Sequence, residues 1–108
     1  MDSEVNEVSL EEALKLVKAK KTKMVWLGSE PIDYICHLLS VDRAKFRVMD
    51  PNDLIYSDKK TAESFKDSVF LCYHGNSSKY VAAYLKEKYG VESYSLKGGV
   101  TRIVGEIF

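Results

Sequence analysis

One cysteine in the last third of the chain is placed for chemistry. Val69-Phe70-Leu71-Cys72 is a continuous apolar run of strand character. Only Tyr73-His74-Gly75-Asn76-Ser77 separates its thiol from a helical segment beginning near Ser78. In an open parallel sheet, ligands gather where strands end at their carboxyl side and helices begin, so Cys72 stands in that crevice. Gly75 lets the backbone approach a ligand closely, and a short loop curling round a sulfur can turn successive amide N–H groups inward as an anion nest. With the positive pole of the following helix, those donors favour thiolate over thiol. The sulfur is then a nucleophile at neutral pH. The opposing reading makes Cys72 a small buried hydrophobe at a strand end.

The neighbours of Cys72 divide in the same way. The amides of Tyr73, His74, Gly75, Asn76 and Ser77 are the candidate donors to an anionic sulfur. His74 either hydrogen-bonds a departing anion or simply faces solvent. Lys79 lies on the first helical turn, where a cation opposes the macrodipole; it either draws in an anionic substrate or is an ordinary exposed lysine. Ser77 and Ser78 are expected to cap the helix and brace the loop through their hydroxyls, and Asn76 tolerates a left-handed backbone. Cys36-His37 with Cys72 and His74 would offer four nitrogen and sulfur ligands of the kind zinc takes. Cys36 lies beside Leu38 and Leu39, however, and the preferred reading is a packed core thiol. A resolving thiol that pairs with Cys72 is the third option. No metal and no cofactor are expected.

The elements that must hold this loop follow from periodicity. Residues 5–8 suit a first strand, and Ser9 with Glu12 makes a capping box ahead of Leu10, Leu14 and Val17 at helical spacing. Residues 18–23 read as a solvated, lysine-rich helix end rather than a binding patch. Met24-Val25-Trp26-Leu27 and Phe46-Arg47-Val48-Met49 look like buried strands, stopped by Gly28-Ser29 and by Asp50-Pro51-Asn52-Asp53. Pro31 suits the first turn of a helix carrying Tyr34, Ile35, Leu38 and Leu39, and residues 60–65 suit another short helix. Residues 78–89 form a helix ended by Gly90, and residues 91–96 a strand. Trp26 belongs to the core, while Tyr80, Tyr84, Tyr89 and Tyr94 pack its rim. Apolar strands alternating with helices imply a small three-layer α/β domain, a mainly parallel sheet flanked by helices.

The 108 residues, 45% hydrophobic and 30% charged, suit one globular domain spanning the whole chain. Sixteen basic residues balance 16 acidic ones, so no net field draws the protein to nucleic acid or an acidic membrane. The longest apolar run, Val69 to Tyr73, is far short of the roughly 20 residues that span a bilayer. Met1-Asp2-Ser3-Glu4 lacks the basic start and apolar stretch of a signal peptide, which makes the cytoplasm the expected location. The two cysteines are too far apart for a CxxC motif and too few for a disulfide framework, so both are expected to be free thiols.

Cys72-Tyr73-His74-Gly75-Asn76-Ser77-Ser78-Lys79 resembles the active loop of single-domain rhodaneses, closest to the thiosulfate sulfurtransferase type encoded with bacterial glycerol-metabolism genes. The family's downstream pattern is present too, in Ala82-Ala83, Leu85, Gly90 and Leu96-Lys97-Gly98-Gly99. Val8-Ser9-Leu10-Glu11-Glu12-Ala13-Leu14 is similar to its first strand-to-helix segment. The middle departs from the pattern. Leu27-Gly28-Ser29 stands where the family carries Asp-x-Arg, its Gly-His-Ile-Pro-Gly segment is reduced to Cys36-His37-Leu38, and its Trp after the double glycine falls near Ile103. These departures touch the loop-supporting contacts and the cleft wall, and they leave the nucleophile and its cradle intact.

The resemblance implies a rhodanese-like domain and a double displacement. Cys72 takes the outer sulfur of thiosulfate, or of a protein persulfide, and passes it to a small thiol, a thioredoxin-like protein or cyanide. It implies Cys72 as the catalytic residue and Tyr73, His74, Gly75, Asn76, Ser77, Ser78 and Lys79 as the substrate-binding loop. The alternative is a non-enzymatic rhodanese-like sulfur carrier or interaction module. A related phosphatase family carries Arg six positions after its cysteine, because phosphate esters need a bidentate clamp. Here that position is Ser78, and no arginine occurs between Cys72 and Lys97.

Overall fold

Five short strands, β1 (Asn6–Val8), β2 (Met24–Trp26), β3 (Phe46–Val48), β4 (Val69–Leu71) and β5 (Tyr94–Leu96), join in one sheet of order β1-β5-β4-β2-β3. Every neighbouring pair is parallel. The computed structural model describes residues 5–105; Met1-Asp2-Ser3-Glu4, on which the leader reading rests, lies outside them. Parallel pairing requires crossovers, supplied by α1 (Leu10–Lys20), α2 (Ile32–Leu39), α3 (Pro51–Ile55), α4 (Lys59–Glu63) and α5 (Asn76–Tyr89), with α6 (Gly99–Val104) closing the described chain. The expected three-layer α/β architecture is present. Among the described residues no helix is long and apolar enough to cross a membrane.

The strand period of two sorts side chains between two cores. Met24 and Trp26 of β2 and Val69 and Leu71 of β4 pack with Ala13 and Val17 of α1 and Ile35 and Leu39 of α2. Val25, Leu27, Phe70 and Cys72 point the other way, onto Leu54 of α3, Ala62 of α4 and Val81, Ala82 and Leu85 of α5. Trp26 is fully buried, as its apolar surroundings in the sequence suggest. β3 differs from expectation. It sits at the sheet edge, so Phe46 is buried while Val48 is 47% exposed.

Helix starts follow local chemistry. Ser9 and Glu12 form the anticipated reciprocal box at α1, the Ser9 hydroxyl accepting the Glu12 N–H at 3.1 Å and the Glu12 carboxylate accepting the Ser9 N–H at 2.9 Å. Asp50-Pro51-Asn52-Asp53 is more than a strand stop. Asp50 accepts the Asn52 N–H at 2.8 Å, Pro51 occupies the first turn, and the segment becomes α3. Asp58 caps α4 by accepting the Thr61 N–H at 2.8 Å.

The backbone N–H of Ser9, and then its hydroxyl, hold the Glu12 carboxyl below its ordinary range; the Thr61 N–H does the same for Asp58. A carboxyl depressed in the folded state adds stability above its unfolded pKa and loses it as pH falls through the folded one. The thermal midpoint is therefore expected to hold level down to about pH 5 and to fall below about pH 4. Asp58→Asn keeps a capping oxygen that does not titrate. It is expected to flatten part of that fall, and an unchanged acid limb in a thermal scan would contradict this account.

Candidate active site

Cys72 is the first residue past β4, and its backbone turns sharply because α5 starts only four residues later, at Asn76. The turn is made by Gly75, the N-cap of α5, with φ of 90°. A side chain in that conformation is strained, which is the reason for glycine there. Two expectations are corrected here. Asn76 is helical and Gly75 takes the left-handed position; Ser77 and Ser78 lie inside the first turn of α5 and do not cap it.

The turn wraps the backbone round the thiol. Cys72 is 5% exposed, and its Sγ accepts the Gly75 N–H at 3.1 Å and the Ser78 N–H at 3.4 Å. The Ser78 hydroxyl lies 3.4 Å from the same sulfur. Hydrogen bonds to Sγ from the described residues thus come from Gly75 and Ser78, not from all five amides of residues 73–77. Ser78 joins the set because the early helix start aims its N–H back at the strand end. Above the sulfur is a concavity of about 150 Å³ lined by Cys72, Tyr73, His74, Asn76 and Ser77. Ser78 is fully buried beneath it.

The outer side of the loop is held by α6. Its Val100 N–H donates to the Cys72 carbonyl and its Thr101 N–H to the Tyr73 carbonyl, both at 3.0 Å. The Thr101 hydroxyl donates to the Tyr73 carbonyl at 2.9 Å. With these carbonyls drawn toward α6, the loop's Gly75 N–H is left facing the sulfur. The approach is close enough to require glycine: a Cβ at Gly99 would stand 2.3 Å from the Tyr73 oxygen, and one at Gly75 would meet the Gly98 nitrogen at 3.2 Å.

His74 is exposed on the rim, with Nδ1 3.1 Å from the Thr101 Oγ1. The same hydroxyl also reaches the Tyr73 carbonyl, and which atom of the His74 pair donates is set by the imidazole tautomer. Lys79 points to β1, where its Nζ meets Glu7 Oε1 at 3.5 Å. It does not line the concavity over the sulfur. Ile103, at the place where the resemblance puts Trp, is 41% exposed and borders a separate hollow of about 440 Å³.

Tyr73 does work that the sequence reading missed. Its hydroxyl accepts the N–H groups of Ser29 and Glu30, each at 2.9 Å, and its ring meets Trp26 edge-on with centroids 5.2 Å apart. Trp26 Nε1 donates to the Glu30 carbonyl at 2.9 Å. The Leu27-Gly28-Ser29 segment, which lacks the Asp-x-Arg pattern, is therefore tied to the cysteine loop through one phenol. A tyrosine directly after the cysteine was the available signal. Tyr73→Phe is expected to destabilise the fold by about 1 kcal/mol, read by urea denaturation, because two loop N–H groups lose their acceptor. No loss would mean that water replaces the phenol.

Cys36 packs against the Trp26 core, on the sheet face opposite the one that holds Cys72. Burial pushes its thiol above the ordinary range, with Asp33 and Asp42 adding to the effect and Arg43 opposing it. The two faces separate Cys36 from Cys72, which disfavours the resolving-thiol option. Among the described residues no group of three or more His, Cys, Asp or Glu side chains is arranged to hold a metal ion.

Two solved structures share this architecture. The crystal structure of SSP1007 from Staphylococcus saprophyticus superposes with a TM-score of 0.61 over 95% of this chain and 97% of that one, at 15% identity. That of the rhodanese homolog TT1651 from Thermus thermophilus gives a TM-score of 0.57 over 88% of this chain and 96% of its own, at 20% identity. The likeness at these identities is one of fold, and it is to the rhodanese-like domain. No protein-family model matches the chain, and no curated protein matches it by sequence.

Proposed function

From this rhodanese-like fold, we propose a sulfurtransferase of the single-domain thiosulfate type, with Cys72 as the catalytic residue. The thiolate attacks the outer sulfur of thiosulfate, the S–S bond breaks, and sulfite leaves with the bonding pair. An acceptor nucleophile, cyanide or a thiolate, then attacks the outer sulfur of the Cys72 persulfide, and Sγ departs again as thiolate. Splitting one transfer into two substitutions at sulfur is what a covalent intermediate achieves.

The observation that carries this reading is the convergence of the Gly75 and Ser78 N–H groups on Sγ at the carboxyl end of β4. Fixed donors of this kind stabilise a sulfur anion without reorganising during reaction. Support also comes from what clamps the substrate. No arginine lies between Cys72 and Lys97, so the planar fork that a phosphate ester needs is missing from the loop. The small concavity over the sulfur suits the addition of one further atom to Sγ.

A test uses thiosulfate, then cyanide. Treated with thiosulfate and freed of excess, the protein is expected to gain the mass of one sulfur atom, to lose it to cyanide as thiocyanate, and to do so over many turnovers. No mass gain overturns the reading. A second reading, a sulfur carrier loaded by a protein persulfide, is favoured by the pairing of Lys79 with Glu7, which takes up the cation nearest the loop on α5. A carrier would accept one sulfur from a persulfide-bearing protein and show no multiple-turnover thiocyanate formation.

A further inference from the structure

Below the sulfur lie two hydroxyls that solvent does not reach. Ser78, on the first turn of α5, and Ser95, in the middle of β5, are both 0% exposed, and their Oγ atoms are 2.6 Å apart. Ser95 stands between Tyr94 and Leu96 in β5 with its hydroxyl shut off from water, where a hydrogen-bond partner is worth most. Among the described residues its one hydrogen-bond partner is Ser78. Either hydroxyl could donate across the pair; Ser78 has another acceptor within reach, the Gly75 carbonyl, so the arrangement that satisfies both has Ser95 donating and Ser78 Oγ accepting. The single hydrogen of Ser78 is then directed to one of two acceptors at nearly equal distance, the Gly75 carbonyl at 3.3 Å or Cys72 Sγ at 3.4 Å.

We propose that Ser95 is a positioning residue that makes the Ser78 hydroxyl a two-position donor, resting on the Gly75 carbonyl when Cys72 is a thiol and swinging onto the sulfur when it is a thiolate. The inference rests on Cys72 as the reacting group but not on which sulfur donor it uses. In the thiol state the S–H donates to Ser78 Oγ, Ser95 donates to it as well, and Ser78 donates to the Gly75 carbonyl. Both lone pairs and the hydrogen of Ser78 are used. On ionisation the S–H is lost and the Ser78 O–H turns to the sulfur, joining the Gly75 and Ser78 N–H groups as a third donor. No proton crosses the pair; a hydroxyl rotates.

This arrangement makes Ser95 matter more in one state than in the other. In the thiolate state Ser95 is the one group left to fill the acceptor side of the buried Ser78 oxygen, whereas in the thiol state the S–H fills it too. Removing Ser95 therefore penalises the thiolate selectively, since an unsatisfied buried oxygen appears only there. The charged and titratable groups on the surrounding elements include Tyr73 and His74 in the loop, Lys79, Tyr84 and Tyr89 on α5 with Glu7 on β1, Lys59, Lys60 and Glu63 on α4, Tyr94 on β5, Glu30 ahead of α2, Asp50 and Asp53 at the start of α3, and Lys97 and Arg102 beside and on α6. All remain in place in a Ser95 variant, so they do not account for a change in it.

The test follows alkylation of Cys72 by iodoacetamide across pH in the full chain, with mass spectrometry separating Cys72 from Cys36. Ser95→Ala is expected to react about fivefold more slowly than the parent at neutral pH and equally fast at alkaline pH, with the midpoint of the profile displaced upward. In a Ser78→Ala background the same substitution is expected to have no further effect, because Ser95 acts through Ser78. An unmoved profile in Ser95→Ala overturns the proposal, as does an equal displacement in both backgrounds. Should Ser95→Ala fail to fold, an unmoved profile in Ser78→Ala alone overturns it. Alkylation needs no sulfur donor. A displaced profile in a protein that gains no sulfur from thiosulfate would count against the sulfurtransferase reading and leave this one standing.

Discussion

Cys72→Ser is expected to abolish the gain of sulfur on thiosulfate treatment completely and to leave the fold nearly as stable as before. The two halves of this expectation have separate causes. A serine alkoxide is inaccessible near neutral pH, so the attacking anion disappears whatever else survives. The cradle itself survives, because Gly75 and Ser78 N–H groups that meet a sulfur at 3.1 and 3.4 Å can donate to an oxygen as well. Near-isosteric exchange at a site already surrounded by donors is expected to cost no more than about 1 kcal/mol. Cys36 is the internal control, since burial pushes its thiol pKa up and it lies across the sheet. Cys36→Ser should therefore load sulfur normally. Intact mass of both variants decides the matter: sulfur retained by Cys72→Ser and lost by Cys36→Ser would reassign the chemistry to the wrong-facing thiol.

Gly99→Ala is expected to be the most damaging exchange of a single hydrogen for a methyl group near the site. Its added carbon would lie 2.3 Å from the Tyr73 oxygen and 2.7 Å from the Cys72 oxygen, at a φ of 70° that L side chains seldom take. Both neighbours are backbone atoms of the cysteine loop, so nothing there can rotate aside. Backbone strain of this sort costs about 1–3 kcal/mol, before the collision is relieved by pushing α6 off the loop. Relief breaks the Val100 and Thr101 hydrogen bonds that hold the loop carbonyls outward. Sulfur loading is then expected to fall by at least about a hundredfold, since misplacing a catalytic group by an ångström has that order of effect. Gly90→Ala is the matched comparison. Gly90 has φ of 68° but a Cβ there meets nothing within 4 Å, so it should lose about 1 kcal/mol and no reactivity. Equal stability and equal loading in the two variants would show that the contact of α6 with the loop does not hold the site.

Much of the fold was readable because its signals are local. Val69-Phe70-Leu71 reads as a strand from three adjacent apolar residues, and Ser9 with Glu12 marks a helix start three residues apart. Errors came where one pattern had two meanings. Asp50-Pro51 both stops β3 and starts α3, and the expected strand over residues 91–96 shortens to Tyr94–Leu96 because Val91 packs with the α5 core. The edge position of β3 could not be read from Phe46-Arg47-Val48-Met49 at all, since strand order depends on how crossovers pack and not on the residues of one strand.

The amino-acid sequence alone determined that a thiol ends an apolar strand, that a short glycine-bearing loop carries it into a helix, and that no arginine accompanies it there. Those are statements about neighbours along the chain, written in side-chain types and spacings of a few residues. The tertiary structure alone decided which N–H groups reach the sulfur, that α6 holds the loop from outside, that Tyr73 ties it to the segment after β2, and that Ser95 lies under Ser78. The two N–H groups at the sulfur are near it in the chain but are aimed by the fold of the turn, while the Tyr73 and Ser95 contacts join residues 44 and 17 apart. Backbone groups look alike in every residue, so only the folded geometry tells which of them meet.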